Sequence, residues 1–341
     1  MLTQSLEEIW RSLEAELPGS PGGYALARRL HPESPRDIRV AIDPVTHSRM
    51  LLVRIASSAL DPSAEFPRSR GFELRFVPLI DDDSWHVTLG VVLSRPDHAD
   101  VFTSLVVDVA FRVSRSLTDR EAAIELIGRL LRWQAFLQRH QPDGLGVEEQ
   151  RGLYGELWFL RYHLIPRLGP RNAVSYWTGP GSSNHDFQIM GCAVEIKTST
   201  GKQHQHLHIV SERQLDDTGT VALLLFHLSL DEREGAGETL PAMVGAVRVA
   251  VASDQLAREE YESQLIEAGY LDPHESRYSS RGYSLRQSSF YRVRTGFPRI
   301  VEQDLRPGVG DVRYTLSVAA CEPFAVSEGE AQSLWEATHE S

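Results

Sequence analysis

Residues 193–198, Ala-Val-Glu-Ile-Lys-Thr, set an acid and a base two positions apart in a β-forming run. Side chains alternate along a strand, so Glu195 and Lys197 share one face while Val194, Ile196 and Thr198 share the other. Just upstream, Met190-Gly191 reads as a hairpin loop. Closing the chain there pairs 189 with 192 and, counting outward, 188 with 193, 187 with 194 and 186 with 195. Asp186 then faces Glu195 with Cβ atoms ~4.5–5.5 Å apart, on the face that carries Lys197. Two carboxylates so placed repel. A divalent cation between them reverses the sign, and hard oxygen donors suit Mg²⁺ or Mn²⁺. Met190 is an unfavourable residue for a primed turn, which needs φ > 0; a longer loop about the same centre would keep the pairing. A Glu-x-Lys pair alone is also common on the solvated face of an amphipathic strand, so the facing aspartate is what gives this one chemical weight.

The lysine itself is unusual here. Lys197 and Lys202 are the two lysines among 35 basic residues, and the other 33 are arginine. A lysine retained in such a chain is a candidate for a position that needs a compact ammonium rather than a planar fork. Glu156 offers a third carboxylate. It flanks the stripe Leu153, Leu157, Leu160 and Leu164 of a helix expected over Val147–Leu168, and so borders a buried face. Gly155 beside it costs ~1 kcal/mol of helix propensity, which close approach of another backbone would explain. His204, His206 and His208 alternate in an extended segment, an arrangement open to a transition metal or to a plain polar edge. Pro180-Gly181-Ser182-Ser183 lacks the Gly-Lys-Ser/Thr ending of a phosphate-binding loop.

The elements that must hold these groups follow from periodicity. In the second half, strands are expected at Asp186–Ile189, Ala193–Thr198 and His206–Val210. Ser211-Glu212-Arg213-Gln214 has the form of a capping box opening a short helix. Val221–Leu230 is a continuous apolar run, as in a buried central strand. In the first half, alternating runs at Ile38–Ile42, Met50–Ile55, Gly71–Val77 and Trp85–Leu93 read as antiparallel strands, and Val101–Ser116 and Arg120–Gln138 as helices. Turn-rich breaks occur at 18–23 and 141–144. These readings divide the chain into a β-rich accessory or recognition domain (1–118), an α/β domain (119–325) and a C-terminal tail (326–341).

Glu156 on a helix, Asp186, and Glu195-Ile196-Lys197 on adjoining strands together resemble the PD-(D/E)xK nuclease superfamily, with its restriction-endonuclease-like fold. Gly152-Leu153-Tyr154-Gly155-Glu156-Leu157, His185-Asp186-Phe187, Val194-Glu195-Ile196-Lys197, Ser211-Glu212-Arg213-Gln214-Leu215 and Thr295-Gly296-Phe297-Pro298-Arg299 resemble an uncharacterised bacterial family within it. The resemblance covers residues 147–325, with His185 standing where the signature has proline. It implies an αβββαβ core with a mixed sheet. Asp186, Glu195 and the backbone carbonyl of Ile196 would ligate Mg²⁺ (or Mn²⁺), with Glu156 completing the site or holding a second ion. Lys197 would position the attacking water and neutralise charge on the scissile phosphate. Gln214 would reach the site as an accessory group, with capping of Ser211 as its other role. The implied activity is Mg²⁺-dependent endonucleolytic hydrolysis of DNA in restriction or phage defence. DNA, other restriction or defence proteins and a second copy of the chain are the implied partners. A non-catalytic nucleic-acid-binding or assembly subunit of the same fold is the alternative, and a zinc hydrolase built on the histidines is a second.

Composition bounds these readings. Of 341 residues, 41% are hydrophobic and 24% charged, which suits globular cores rather than a disordered or collagen-like chain. The first seventeen residues alternate leucines with glutamates, an amphipathic helix rather than a signal segment, and no apolar stretch would span a bilayer; a cytoplasmic protein without a membrane partner is expected. Two cysteines, Cys192 and Cys321, cannot form a disulfide framework. A net charge of −12 argues against a nucleic-acid binder, yet residues 276–313 carry eight arginines against three acids. Arg281, Arg286, Arg292, Arg294 and Arg299 in that stretch are the candidate phosphate contacts.

Overall fold

The structure, a computed structural model, describes residues 3–16, 26–43, 45–60, 66–79, 83–139, 144–179, 184–201 and 203–336. Lys202, the Pro180–Ser183 segment and the breaks at 18–23 and 141–143 lie outside the described residues. The chain forms two compact units: Met1–Gly144 with Leu271–His274, and Leu145–Tyr270 with Glu275–Ser341.

The first unit holds α1 (Thr3–Glu16), β1 (Leu26–Leu30), β2 (Asp37–Ile42), β3 (Arg49–Ala56), β4 (Phe72–Phe76), β5 (His86–Leu93), α2 (Ala99–Ser114) and α3 (Asp119–Arg139). Its five strands form an antiparallel sheet in the order β1-β2-β3-β5-β4. Strands β2 to β5 are the four apolar runs of the sequence. β1 escapes such a reading because Arg28 and Arg29 interrupt its apolar pattern, which an edge strand with one neighbour tolerates. The helix expected to open the second half instead belongs here, moving the division from residue 118 to 144. Thr118 caps it by accepting from Glu121 N at 3.2 Å, while Glu121 accepts from Leu117 N at 2.8 Å. A largely buried polar contact then fixes it to α2: Arg129 grips Asp108 bidentately at 2.6 and 2.9 Å, and Trp133 Nε1 donates to the same carboxylate at 2.8 Å.

The second unit begins with α4 (Val147–Phe159), a single π turn at Leu160–Leu164, and α5 (Ile165–Ser175), which breaks at Gly169, φ 74°. The helix expected over Val147–Leu168 thus runs that length, with one π turn inside it, and breaks at Gly169. Then come β6 (Phe187–Ile189), β7 (Cys192–Ser199), β8 (His206–Ile209), β9 (Ala222–Glu234), β10 (Glu238–Thr239), α6 (Leu240–Val251), α7 (Gln255–Glu267), β11 (Arg281–Val293), β12 (Tyr314–Ser317), β13 (Ala325–Val326) and α8 (Glu328–Glu336). The main sheet runs β10-β11-β9-β7-β6, with β13 also on β11. It is mixed, since β7 and β9 are parallel and the other pairs antiparallel.

Two expectations for this unit are corrected. The third strand of the αβββαβ order, β8, is not in the main sheet: it pairs with β12 in a two-stranded ribbon, and 212–215 is a turn, not a helix. Both edges of β7 are already taken by β6 and β9, so β8 cannot pair with it. Its inward Leu207 and Ile209 pack instead on Ala193, Leu223 and Leu225 of the sheet face. The expected tail is the other correction. Ala331 and Trp335 of α8 are buried in the core with Phe159 and Phe290, because a short amphipathic helix closes that face of the sheet. Among the described residues no helix is long and apolar enough to cross a membrane.

Candidate active site

The β6–β7 hairpin sets the site. Its register is Phe187↔Val194, Gln188↔Ala193 and Ile189↔Cys192, the one counted from the sequence. Met190 and Gly191 close it as two left-handed residues, φ 49° and 92°. The objection to methionine is overridden, at a cost of ~1–2 kcal/mol, because Phe187, Ile189, Cys192 and Val194 are all essentially fully buried and fix the pairing. One residue beyond β6, Asp186 continues the ladder with its side chain: Oδ2 accepts from Ile196 N at 2.7 Å. Its carbonyl accepts from Thr178 N at 3.0 Å, so a short pairing of 176–178 with 186–188 backs the hairpin. The Ile196 group seen to act here is its amide.

Glu195 is 1% exposed. Its Oε1 lies 2.8 Å from Lys197 Nζ, and Oε2 has no hydrogen-bond partner among the described residues. Lys197 Nζ also donates to Gln214 Oε1 at 3.2 Å, and that oxygen accepts from Val210 N at 2.9 Å. Gln214 therefore spends its side chain on the lysine and the end of β8. Ser211 is left to a tight turn, its Oγ accepting from Arg213 N and its carbonyl from Gln214 N.

On the other side of β7, α4 brings Glu156. A Cβ on Gly155 would stand 2.5 Å from Thr198 Cγ2 and 3.4 Å from Ile196 Cγ2. The glycine is there because strand side chains, rather than another backbone, press against the helix. Glu156 Oε2 accepts from Trp177 Nε1 at 2.8 Å. Trp177 has no exposed surface, and nothing in the sequence marked it beyond its place at the end of the apolar run 173–177.

Electrostatics follow from three carboxylates beside one ammonium. Burial, then Asp186, pushes the Glu195 carboxyl up to about 8. Burial, then Asp186, raises Glu156 well above the usual carboxylate range, and burial raises Asp186. Lys197 is raised because the attraction of Glu195 and Asp186 outweighs desolvation, so it stays charged. A buried carboxylate oxygen without a donor, facing other acids, is the arrangement a hard cation would relieve. Among the described residues no three His, Cys, Asp or Glu side chains are grouped to enclose an ion. Asp186 and Glu195 as a pair nevertheless fit Mg²⁺, which is usually held by one or two carboxylates with waters and substrate phosphates.

The other candidate residues lie elsewhere. Arg281 pairs with Glu232; Arg286 donates to the carbonyls of Thr200, Gly201 and Leu230; Arg299 binds the Leu215 carbonyl and Asp217. These three tie strands and turns together. Arg292 is half-buried on β11, and Arg294 is exposed with its guanidinium over the Phe324 ring. His206 and His208 share the exposed face of β8, whereas His204 precedes the strand at φ 51°, so the three do not form one alternating face. Both cysteines are free and buried.

Residues 6–319 match the family model of DUF4420, described as a "Putative PD-(D/E)XK family member". No curated protein and no solved structure matches the chain.

Proposed function

We propose, on the premise that the chain belongs to the DUF4420 family, that it is a divalent-metal-dependent nuclease that hydrolyses DNA phosphodiester bonds, with restriction or phage defence as its setting. The observation that carries this reading is Glu195, sealed from solvent with one oxygen lacking a donor, beside Lys197 and under the charge of Asp186. Asp186 and Glu195 would hold the ion. When bound, a divalent ion supplies Lewis acidity and a water acidic enough to attack near neutral pH. Lys197 places a point charge where negative charge grows on the phosphate, and Gln214 fixes the reach of that ammonium. Asp186 is held in place by the Ile196 amide, so its carboxylate is pre-oriented before any ligand arrives.

Plasmid incubated with the protein and Mg²⁺ or Mn²⁺ should be nicked or linearised, and the Glu195→Ala protein should leave it intact. DNA retained on the protein but uncut under every metal condition would favour the non-catalytic subunit. The arginines divide by role. Replacing Arg292 and Arg294 should flatten the dependence of log K on log[salt] by ~0.9 for each phosphate no longer neutralised. Replacing Arg281, Arg286 or Arg299 should instead lower the melting temperature, since each change strips a partner from within the fold.

A further inference from the structure

His206 and His208 take no part in the chemistry at Glu195, but the β8–β12 ribbon that carries them has two unlike faces. Its register is Ile209↔Tyr314, His208↔Thr315, Leu207↔Leu316 and His206↔Ser317. Leu207, Ile209 and Leu316 are buried against the main sheet. Alternation then puts His206, His208, Thr315 and Ser317 outward, and one step past the last pair Val210 and Arg313 continue that face. His206, His208, Val210, Arg313 and Thr315 are all exposed, and Ser317 is half-buried. Five of these six side chains can donate a hydrogen bond, Arg313 adds a cation, and none is an acid, in a chain of net charge −12.

The ribbon is tied down at both ends, and one end reaches the candidate site. Val318 N donates to Gln205 O at 3.0 Å at the far end. At the near end Val312 N donates to Glu212 Oε2 at 2.9 Å, which commits that buried carboxylate to the backbone. Asp311 is the exposed acid nearest Arg313 along the chain, and it lies outside the strand pairing. Val210 N donates to Gln214 Oε1, the same oxygen that holds Lys197 Nζ. One acceptor thus joins the outer face of the ribbon to the lysine.

We propose that the outer face of the β8–β12 ribbon is a contact surface for duplex DNA, with Arg313 on a backbone phosphate at the end nearest Lys197. This rests on the proposed nuclease reading, which supplies the ligand. The major groove admits a two-stranded ribbon. Guanidinium, imidazole and hydroxyl donors are groups that engage phosphate oxygens and base edges. A cationic face without acids, on a chain that is acidic as a whole, complements a polyanion.

Binding is read by anisotropy of a labelled duplex on the Glu195→Ala protein with Mg²⁺, so that the DNA stays whole. Adding Arg313→Ala should weaken binding ~10-fold and flatten the slope of log K against log[salt] by ~0.9. Adding His208→Ala and Thr315→Ala should weaken it further. The melting temperature should hold, because all three side chains are exposed. Arg258→Ala is the control: that exposed arginine sits on α7, which packs on the opposite face of the sheet, and its loss should leave binding unchanged. A second measurement needs no loss of affinity. Cys192 and Cys321 are buried, so Thr315→Cys places a reactive thiol on the ribbon face. A benzophenone attached there should crosslink to bound duplex, and one attached to Ser253→Cys, beside α7, should not. Unchanged affinity and slope in the ribbon variants, with no crosslink from position 315, overturn the inference and leave a cleaving parent a nuclease. Ribbon variants that lose DNA although the parent never cuts it uphold the inference and sink the nuclease reading instead. A parent that retains no duplex under any metal condition overturns both.

Discussion

Lys197→Arg should cut plasmid cleavage by ~10²-fold or more, the usual scale for losing one positioned electrostatic group, while DNA and metal binding stay near the parental level. The ammonium is held by two oxygens, Glu195 Oε1 at 2.8 Å and Gln214 Oε1 at 3.2 Å, in a space where the side chain is 15% exposed. A guanidinium is broader, spreads its charge over a plane and cannot occupy that point between two acceptors without displacing one. Net charge is unchanged, so long-range attraction of DNA is unchanged. The chain otherwise carries arginine almost everywhere, and Lys202→Arg is the matching control, expected to cleave as the parent does. Single-turnover cleavage under saturating DNA separates the two outcomes. Equal rates for Lys197→Arg and the parent would reduce residues 195–197 to an ordinary amphipathic strand.

Glu195→Gln should abolish cleavage and at the same time stabilise the metal-free protein in mildly alkaline buffer. The carboxyl titrates near 4.5 when unfolded and near 8 when folded, because burial and Asp186 both oppose its charge. Between those values the folded state holds a proton that the unfolded state has released. Stability is therefore fully present below about 4.5, falls as pH rises through that window, and levels off above about 8. The slope from this one group is at most ~1.4 kcal/mol per pH unit. Asp186 and Glu156, both raised, act in the same direction. The glutamine variant should show a shallower fall in melting temperature from pH 5 to pH 8, and a higher value than the parent at pH 8 without metal. Mg²⁺ should raise the parent's melting temperature at pH 8 far more than at pH 5, since the ion binds the ionised form. A parent curve flat across this range would mean that Glu195 is not isolated as the structure has it.

Much of the site was legible from short-range rules. A side-chain period of two puts Glu195 and Lys197 on one face, and the observed hairpin pairing follows the symmetric count from 189/192 to 187/194 although Met190 is a poor turn residue; beyond it Asp186 bonds the Ile196 amide. The glycine beside Glu156 signalled a close approach, and Thr198 and Ile196 make it. The long apolar run around 221–230 gave the central strand, since a strand covered on both faces needs no polar positions.

The features legible along the chain are local: which residues share a strand face, where the hairpin turns, and which helix borders the sheet. Those follow from backbone geometry and apolar spacing, which act within a few residues. Long-range placement came from packing. It placed β8 on the sheet face because no edge of β7 was free, and α3 in the first unit because Asp108 met Arg129 and Trp133. Of the two roles open to Gln214 it selected the contact with Lys197, and it brought Trp177 to Glu156 across 21 residues. It also consumed Arg281, Arg286 and Arg299 in internal contacts. A side chain's partner across the fold depends on which surfaces remain after the strands have paired, and no spacing along the chain encodes what is left over.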